Sequence, residues 1–178
     1  MPKVSQAHLD ARRQQILDAA RACFTARGFG RTSMTDVVEA SGLSVGAIYR
    51  YFTGKEEIVA AICEGSSQVF PDELTTESIA GLLEQIRGRD GARDHARLVA
   101  QIYAEAAVSP ALAAVVEGQL ADLRRDVAAK LSGQDPARAA RTAEAFVALC
   151  NGYSQQLAVR GDVEPAPYVE ALVALVDG

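Results

Sequence analysis

The sequence predicts an all-α chain: an N-terminal three-helix domain built around a helix-turn-helix, joined to a C-terminal helical bundle. Three observations predict it. Alanine, leucine, arginine and glutamate dominate, and no alternating β-branched run of strand length occurs. Capping residues and glycines cut the first 60 residues into short segments, whereas later segments are longer, alanine-rich and opened by prolines.

The elements follow in order. From about Asp10 to Arg27, Ile16, Ala20, Cys23 and Phe24 share one helical face, and Gly28 ends the run. Ser33-Met-Thr-Asp36 has capping-box spacing and opens a short helix, Met34 to Ser41, that Gly42 stops. Leu43 suits the angle between two helices, and Ser44 caps the next, which bears Val45, Ile48, Tyr49 and Phe52. Thr53-Gly-Lys-Glu56 repeats the capping pattern and starts a fourth helix through Ile58 and Ile62. Phe70-Pro71-Asp72, Arg87-Gly-Arg-Asp-Gly91, Ser109-Pro110 and Asp135-Pro136 then separate helices expected near 74–87, 92–108, 110–131, 136–160 and 166–176. The division expected is 8–60 for the helix-turn-helix domain and 61–178 for the bundle, with the join within or just after the fourth helix, near 60–70.

Composition bounds the function. At 178 residues, 49% hydrophobic and 23% charged, the chain can bury one large core or two small ones. No apolar run reaches the roughly 20 residues a membrane span needs, and the start lacks a secretory apolar stretch, so no membrane partner and a cytoplasmic location are expected. Cys23, Cys63 and Cys150 lie far apart in apolar helical surroundings, with neither CxxC spacing nor a nearby His pair, which favours small buried hydrophobes over a redox-sensing role. Two histidines, with no HExxH, GxSxG or Walker pattern, argue against an enzyme, a metal or a cofactor.

Charge is uneven. Residues 1–60 hold eight Lys and Arg against six Asp and Glu; residues 61–178 hold ten against seventeen. Only the front half is suited to a polyanion.

Within that half, SGLSVGAIYRYFTGK at 41–55 crowds polar tips onto a core-forming helix. Lys55 stands in the first turn of the fourth helix, where the dipole disfavours a cation by up to about 1 kcal/mol unless an anion lies there. Ser33 and Ser44 cap and also offer hydroxyls to phosphate, although each is equally well read as a plain cap. Tyr49 and Tyr51 are two residues apart, so both cannot point into a core. Tyr49 is either a core-edge aromatic or a phosphate donor.

The stretch from about Gln14 to Ile62, centred on FGRTSMTDVVEASGLSVGAIYRYFTGKEEI, resembles the N-terminal DNA-binding domain of the TetR family of transcriptional regulators. The small residue and glycine of the turn, the capping serine, the Tyr-x-x-Phe of the recognition helix and the later lysine occur in register. The resemblance implies double-stranded DNA as partner, with phosphate contacts from Ser33, Ser44, Tyr49, Tyr51 and Lys55 and with Ala47 close to the backbone. It gives base edges to Thr35, Val45 and Gly46, with Arg50 beside them, while Ile48 and Phe52 hold the helix in place. Val45 and Gly46 offer no side-chain hydrogen bond, so readout there means thymine methyls, close backbone approach or DNA shape. Arg12 and Arg13, near the start of the first helix, are better read as solvated surface charges than as contacts to a neighbouring groove or phosphate.

The later helices resemble the family's ligand-binding and dimerisation domain in length and number, and NGYSQQLAV at 151–159 is similar to a helix of its dimer face. The resemblance implies a homodimer on a palindromic operator and a small-molecule effector. Phe146, Leu149, Cys150, Tyr153 and Leu157, then Tyr168, Leu172 and Val176, form apolar stripes that either pair with their copies or close the monomer's core. An effector pocket is expected among Leu98, Gln101, Ile102, Tyr103, Gln119 and Leu120, although Tyr103 equally suits a core. The expected function is a ligand-responsive repressor. A helical protein-interaction module without DNA binding, and an effector-independent activator, are the alternatives.

Overall fold

A computed structural model describes residues 5–65, 70–88 and 91–178. All regular structure among these residues is helical: α1 (Gln6–Arg27), α2 (Met34–Ser41), α3 (Val45–Tyr49), α4 (Lys55–Gly65), α5 (Thr76–Gly88), α6 (Ala92–Ala106), α7 (Pro110–Lys130), α8 (Pro136–Arg160) and α9 (Ala166–Asp177). Residues 66–69 of the expected join and residues 89–90 of the expected break at Arg87–Gly91 lie outside the described residues.

Contacts gather these helices into two units. The first holds α1 to α4 together with Gln101–Ala113; the second holds α5, the rest of α6 and α7, α8 and α9. The grouping of 101–113 with the front helices is one that division by sequence position does not anticipate.

In the first unit, α1 begins earlier than its apolar pattern suggests, because the Ser5 hydroxyl accepts from the His8 amide at 3.3 Å and caps it. It ends at Gly28, whose amide bonds the Phe24 carbonyl at 2.8 Å with φ +88°, a conformation that favours glycine. One face of α1 packs on α2 and α4, burying Ile16, Ala20 and Phe24 completely. Val37, Ile48, Ile58 and Val59 fill the other side of this small core and are equally inaccessible. Thr32, a polar residue inside it, is satisfied by donating to the Gly28 carbonyl at 2.8 Å.

The second unit closes around Phe70, Ile79, Leu83, Val127, Phe146, Tyr153, Leu157 and Leu172. Its helix α5 packs against α8 and α9, and α8 against α9. Asp135 caps α8 by accepting from the Arg138 amide at 3.0 Å, with Pro136 in the first turn, where its missing N–H costs nothing. The Arg87 guanidinium forks onto Asp162 at 2.7 and 3.2 Å and ties the end of α5 to the α8–α9 loop. No helix among the described residues is long and apolar enough to cross a membrane.

Candidate nucleic-acid interface

Two caps and one glycine set the angle of the helix-turn-helix. The Ser33 hydroxyl accepts from the Asp36 amide at 3.1 Å, while the Asp36 carboxylate accepts from the Ser33 amide at 2.7 Å and hydroxyl at 2.6 Å. This closes the expected capping box. The Ser33 hydroxyl, Ser33 amide and Arg27 guanidinium together hold the Asp36 carboxyl below its usual range. Gly42, at φ +67° and ψ +14°, turns the chain through the left-handed region where a side chain is strained. Ser44 then caps α3 by accepting from the Ala47 amide at 3.3 Å.

Helix α3 is a single short helix ending at Tyr49, shorter than the apolar spacing through Phe52 suggests. The chain continues as a turn, with the Tyr51 and Phe52 amides both bonding the Ile48 carbonyl. Ile48 is fully buried and Phe52 only 4% exposed, so these two anchor the helix as expected. Outside them, Ser33, Thr35, Ser44, Val45, Gly46, Tyr49 and Arg50 are exposed, and Ala47, Tyr51 and Lys55 partly so. Val45 at 58% and Tyr49 at 49% are among the few large hydrophobic side chains left in solvent. The core does not need Tyr49.

Two sequence readings are corrected. Lys55 does not depend on an external anion for its placement: its ammonium donates to the Phe29 carbonyl at 3.0 Å and lies 4.4 Å from the centre of the Phe29 ring. The capping residue of α4 also differs from Glu56. The Thr53 amide and hydroxyl both donate to Glu57, each at 2.7 Å, because the helix starts one residue later, after Gly54, and Glu57 is the acid that reaches back. These bonds, amide first, lower the Glu57 carboxyl below its usual range.

The dimer stripe is corrected in part. Phe146, Cys150, Tyr153, Leu157 and Leu172 are buried within the chain's own second core, and the Tyr153 hydroxyl donates to the Val163 carbonyl at 3.0 Å. An apolar stripe at helical spacing satisfies a core and an interface equally, and here the core takes it. Leu149, Tyr168 and Val176 stay partly exposed, and Val159, beyond the expected set, is 79% exposed. Burial pushes the Cys150 thiol up to about 12 and raises Cys23, as expected for buried thiols, whereas Cys63 is only partly buried.

Of the expected effector residues, Gln101, Ile102 and Tyr103 group with the first unit; Leu98, Gln119 and Leu120 belong to the second, where Leu120 packs on the core. Leu98 and Ile102 are buried, and Gln119 and Tyr103 partly so. The Gln101 amide oxygen is buried without a hydrogen-bond partner among the described residues.

Comparison with known proteins follows the same division. Residues 16–62 match the bacterial regulatory proteins of the tetR family, and residues 76–178 match the C-terminal domain of BetI-type transcriptional repressors. The HTH-type transcriptional repressor Rv1474c of Mycobacterium tuberculosis is 35% identical over 86 residues, covering 48% of this chain and 46% of its own length. The chain therefore spans about half the length of that relative. The HTH-type transcriptional repressor AcnR of Corynebacterium jeikeium is 25% identical over 134 residues, covering 75% of this chain and 71% of its own. Among solved structures, Salmonella enterica GusR superposes with a TM-score of 0.79 at 22% identity, covering 99% of this chain and 98% of its own. The multidrug binding protein EbrR, solved with imidazole, gives 0.71 at 22% identity, covering 98% and 96%. At these identities the likeness is one of fold. The capping box, the turn at Gly42 and the anchored α3 sit inside the first matched region and the second core, apart from Phe70, inside the other, and the chain belongs to the TetR family of transcriptional regulators.

Proposed function

We propose that this protein is a transcriptional repressor that binds double-stranded DNA as a homodimer, reads an inverted repeat through residues 33–55, and is released by a small-molecule effector. The observation that supports it best is the state of α3: Ile48 and Phe52 fix the helix while Val45, Gly46, Tyr49 and Arg50 remain in solvent. In this reading Thr35, Val45, Gly46 and Arg50 meet base edges. Ser44, Tyr49, Tyr51 and Lys55 contact phosphates, with Ala47 against the backbone. Ser33 joins them only where a phosphate displaces the Asp36 carboxylate from its hydroxyl and amide. Lys55 keeps two ammonium hydrogens beyond the one given to Phe29.

Two half-sites joined rigidly add their free energies, so a homodimer suits so short a reading helix. The partly exposed Leu149, Tyr168 and Val176 at the edge of the second core, with the exposed Val159, support the pairing surface. The unpartnered Gln101 oxygen supports an effector that donates a hydrogen bond, and the imidazole bound to EbrR supports a small molecule in that role. A ligand that prefers a different separation of the two reading helices weakens DNA binding by its differential affinity for the two states. A DNA target implies a cytoplasmic location.

The test is selection of bound sequences from random duplex DNA at fixed salt, with Tyr49→Ala as control. An enriched inverted repeat that disappears with Tyr49→Ala supports the reading. No enrichment, or enrichment unchanged in the control, returns the chain to a helical interaction module.

A further inference from the structure

We propose that the cavity between α1 and α3 seats a DNA backbone phosphate, with Arg12 as its charged contact. The proposal rests on the DNA-binding reading and extends it to a helix which that reading leaves out. The cavity has a volume of about 380 Å³, and His8 and Arg12 of α1 line it opposite Ser44, Ala47, Arg50 and Tyr51. No carboxylate is among its lining residues. Arg12 and Arg50 thus line one concave space that no acidic residue lines, an arrangement suited to a phosphodiester.

Arg12 is braced for the contact. One of its terminal nitrogens donates to the Gln15 amide oxygen at 3.0 Å, and the Gln15 amide nitrogen donates to the Ser41 carbonyl at 2.7 Å, at the end of α2. The guanidinium is thereby fixed to the turn that sets α3, so binding an anion costs it little rotamer freedom. Arg13, its neighbour, instead lies over the Phe52 ring at 5.6 Å.

Position on α3 supplies the direction. At about 100° per residue, continued through the turn that follows α3, Gly46 and Arg50 sit near the middle of the exposed arc, Val45 and Tyr49 on one flank, and Ala47 and Tyr51 on the other. A helix in a major groove has one strand along each flank. Tyr49 serves one strand, and the cavity beside Ala47, Tyr51 and Arg12 serves the other. Two tyrosines spaced by two residues then have separate tasks.

The test compares wild type with Arg12→Gln and Arg12→Lys on the selected duplex, reading log Kd against log salt. Each neutralised phosphate contributes a slope of about 0.9, so Arg12→Gln should flatten the dimer's slope by about two and weaken binding roughly 60-fold at about 0.1 M salt. Arg12→Lys should keep the slope, and both variants should melt with wild type. If Arg12→Gln matches wild type in slope and affinity while Tyr49→Ala loses binding, the phosphate seat is wrong and the DNA reading stands. If wild type binds no duplex selectively, both fall together.

Discussion

Replacing Tyr49 with phenylalanine removes one oxygen and no charge. The side chain is 49% exposed, and its hydroxyl makes no hydrogen bond among the described residues, so the free protein should unfold as before, within about 0.5 kcal/mol. Any loss on DNA is then a loss of contact. A hydrogen bond to a charged acceptor is worth roughly 1.5 kcal/mol at the low end, about tenfold per half-site and about a hundredfold for a dimer. Fluorescence anisotropy with a labelled duplex, repeated across salt and across several sequences, separates the possibilities. Because no cation is lost, the plot of log Kd against log salt should shift upward with its slope intact, and by the same amount on every sequence. A changed slope, a loss confined to particular bases, or a lowered unfolding midpoint would each refute the assignment of Tyr49 as a neutral phosphate donor outside the core.

Other perturbations test the frame around it. Ile48→Ala removes a fully buried side chain from the core under α3 and should cost about 2–5 kcal/mol in urea unfolding, with loss of DNA binding following from loss of the helix. The folded Asp36 carboxyl lies below its ordinary value, so its stabilisation is present above about pH 4 and is lost as pH falls through the folded value. Thermal unfolding followed toward low pH should therefore decline less steeply for Asp36→Asn than for wild type; parallel curves would contradict the capping-box assignment. Val159→Glu, at a 79% exposed side chain of α8, should lower the mass seen by light scattering to that of a monomer without lowering helix content, whereas an unchanged mass would move the pairing surface elsewhere.

What the sequence made legible is what neighbours in the chain decide. Ser33, Gly42, Ser44 and Pro136 mark helix ends by bonds reaching only a few residues, and the observed limits of α2 and α8 fall where these residues place them. Ile48 and Phe52 were readable as anchors because helical spacing sets them apart from Gly46 and Tyr49. Contacts across the fold were hidden. Lys55 reaches the Phe29 carbonyl across 26 residues, and no local pattern announces it. Gln15 holds the Ser41 carbonyl over the same separation, which is why Arg12 reads as a solvated charge until its brace is seen. The α8 stripe illustrates a second limit, since Phe146 and Tyr153 would look the same against a partner as against Phe70 and Tyr168, the rings they meet at 5.9 and 4.9 Å. Only burial distinguishes the two.

The central claim is that the exposed face of α3 reads bases. Its most direct test repeats the sequence selection with Val45→Ala, a change at a 58% exposed side chain that leaves the Ile48 anchor untouched. The account predicts an inverted repeat with the same spacing, relaxed or altered at one position mirrored in both half-sites. An identical motif, or a uniform loss of binding to every sequence, would contradict it.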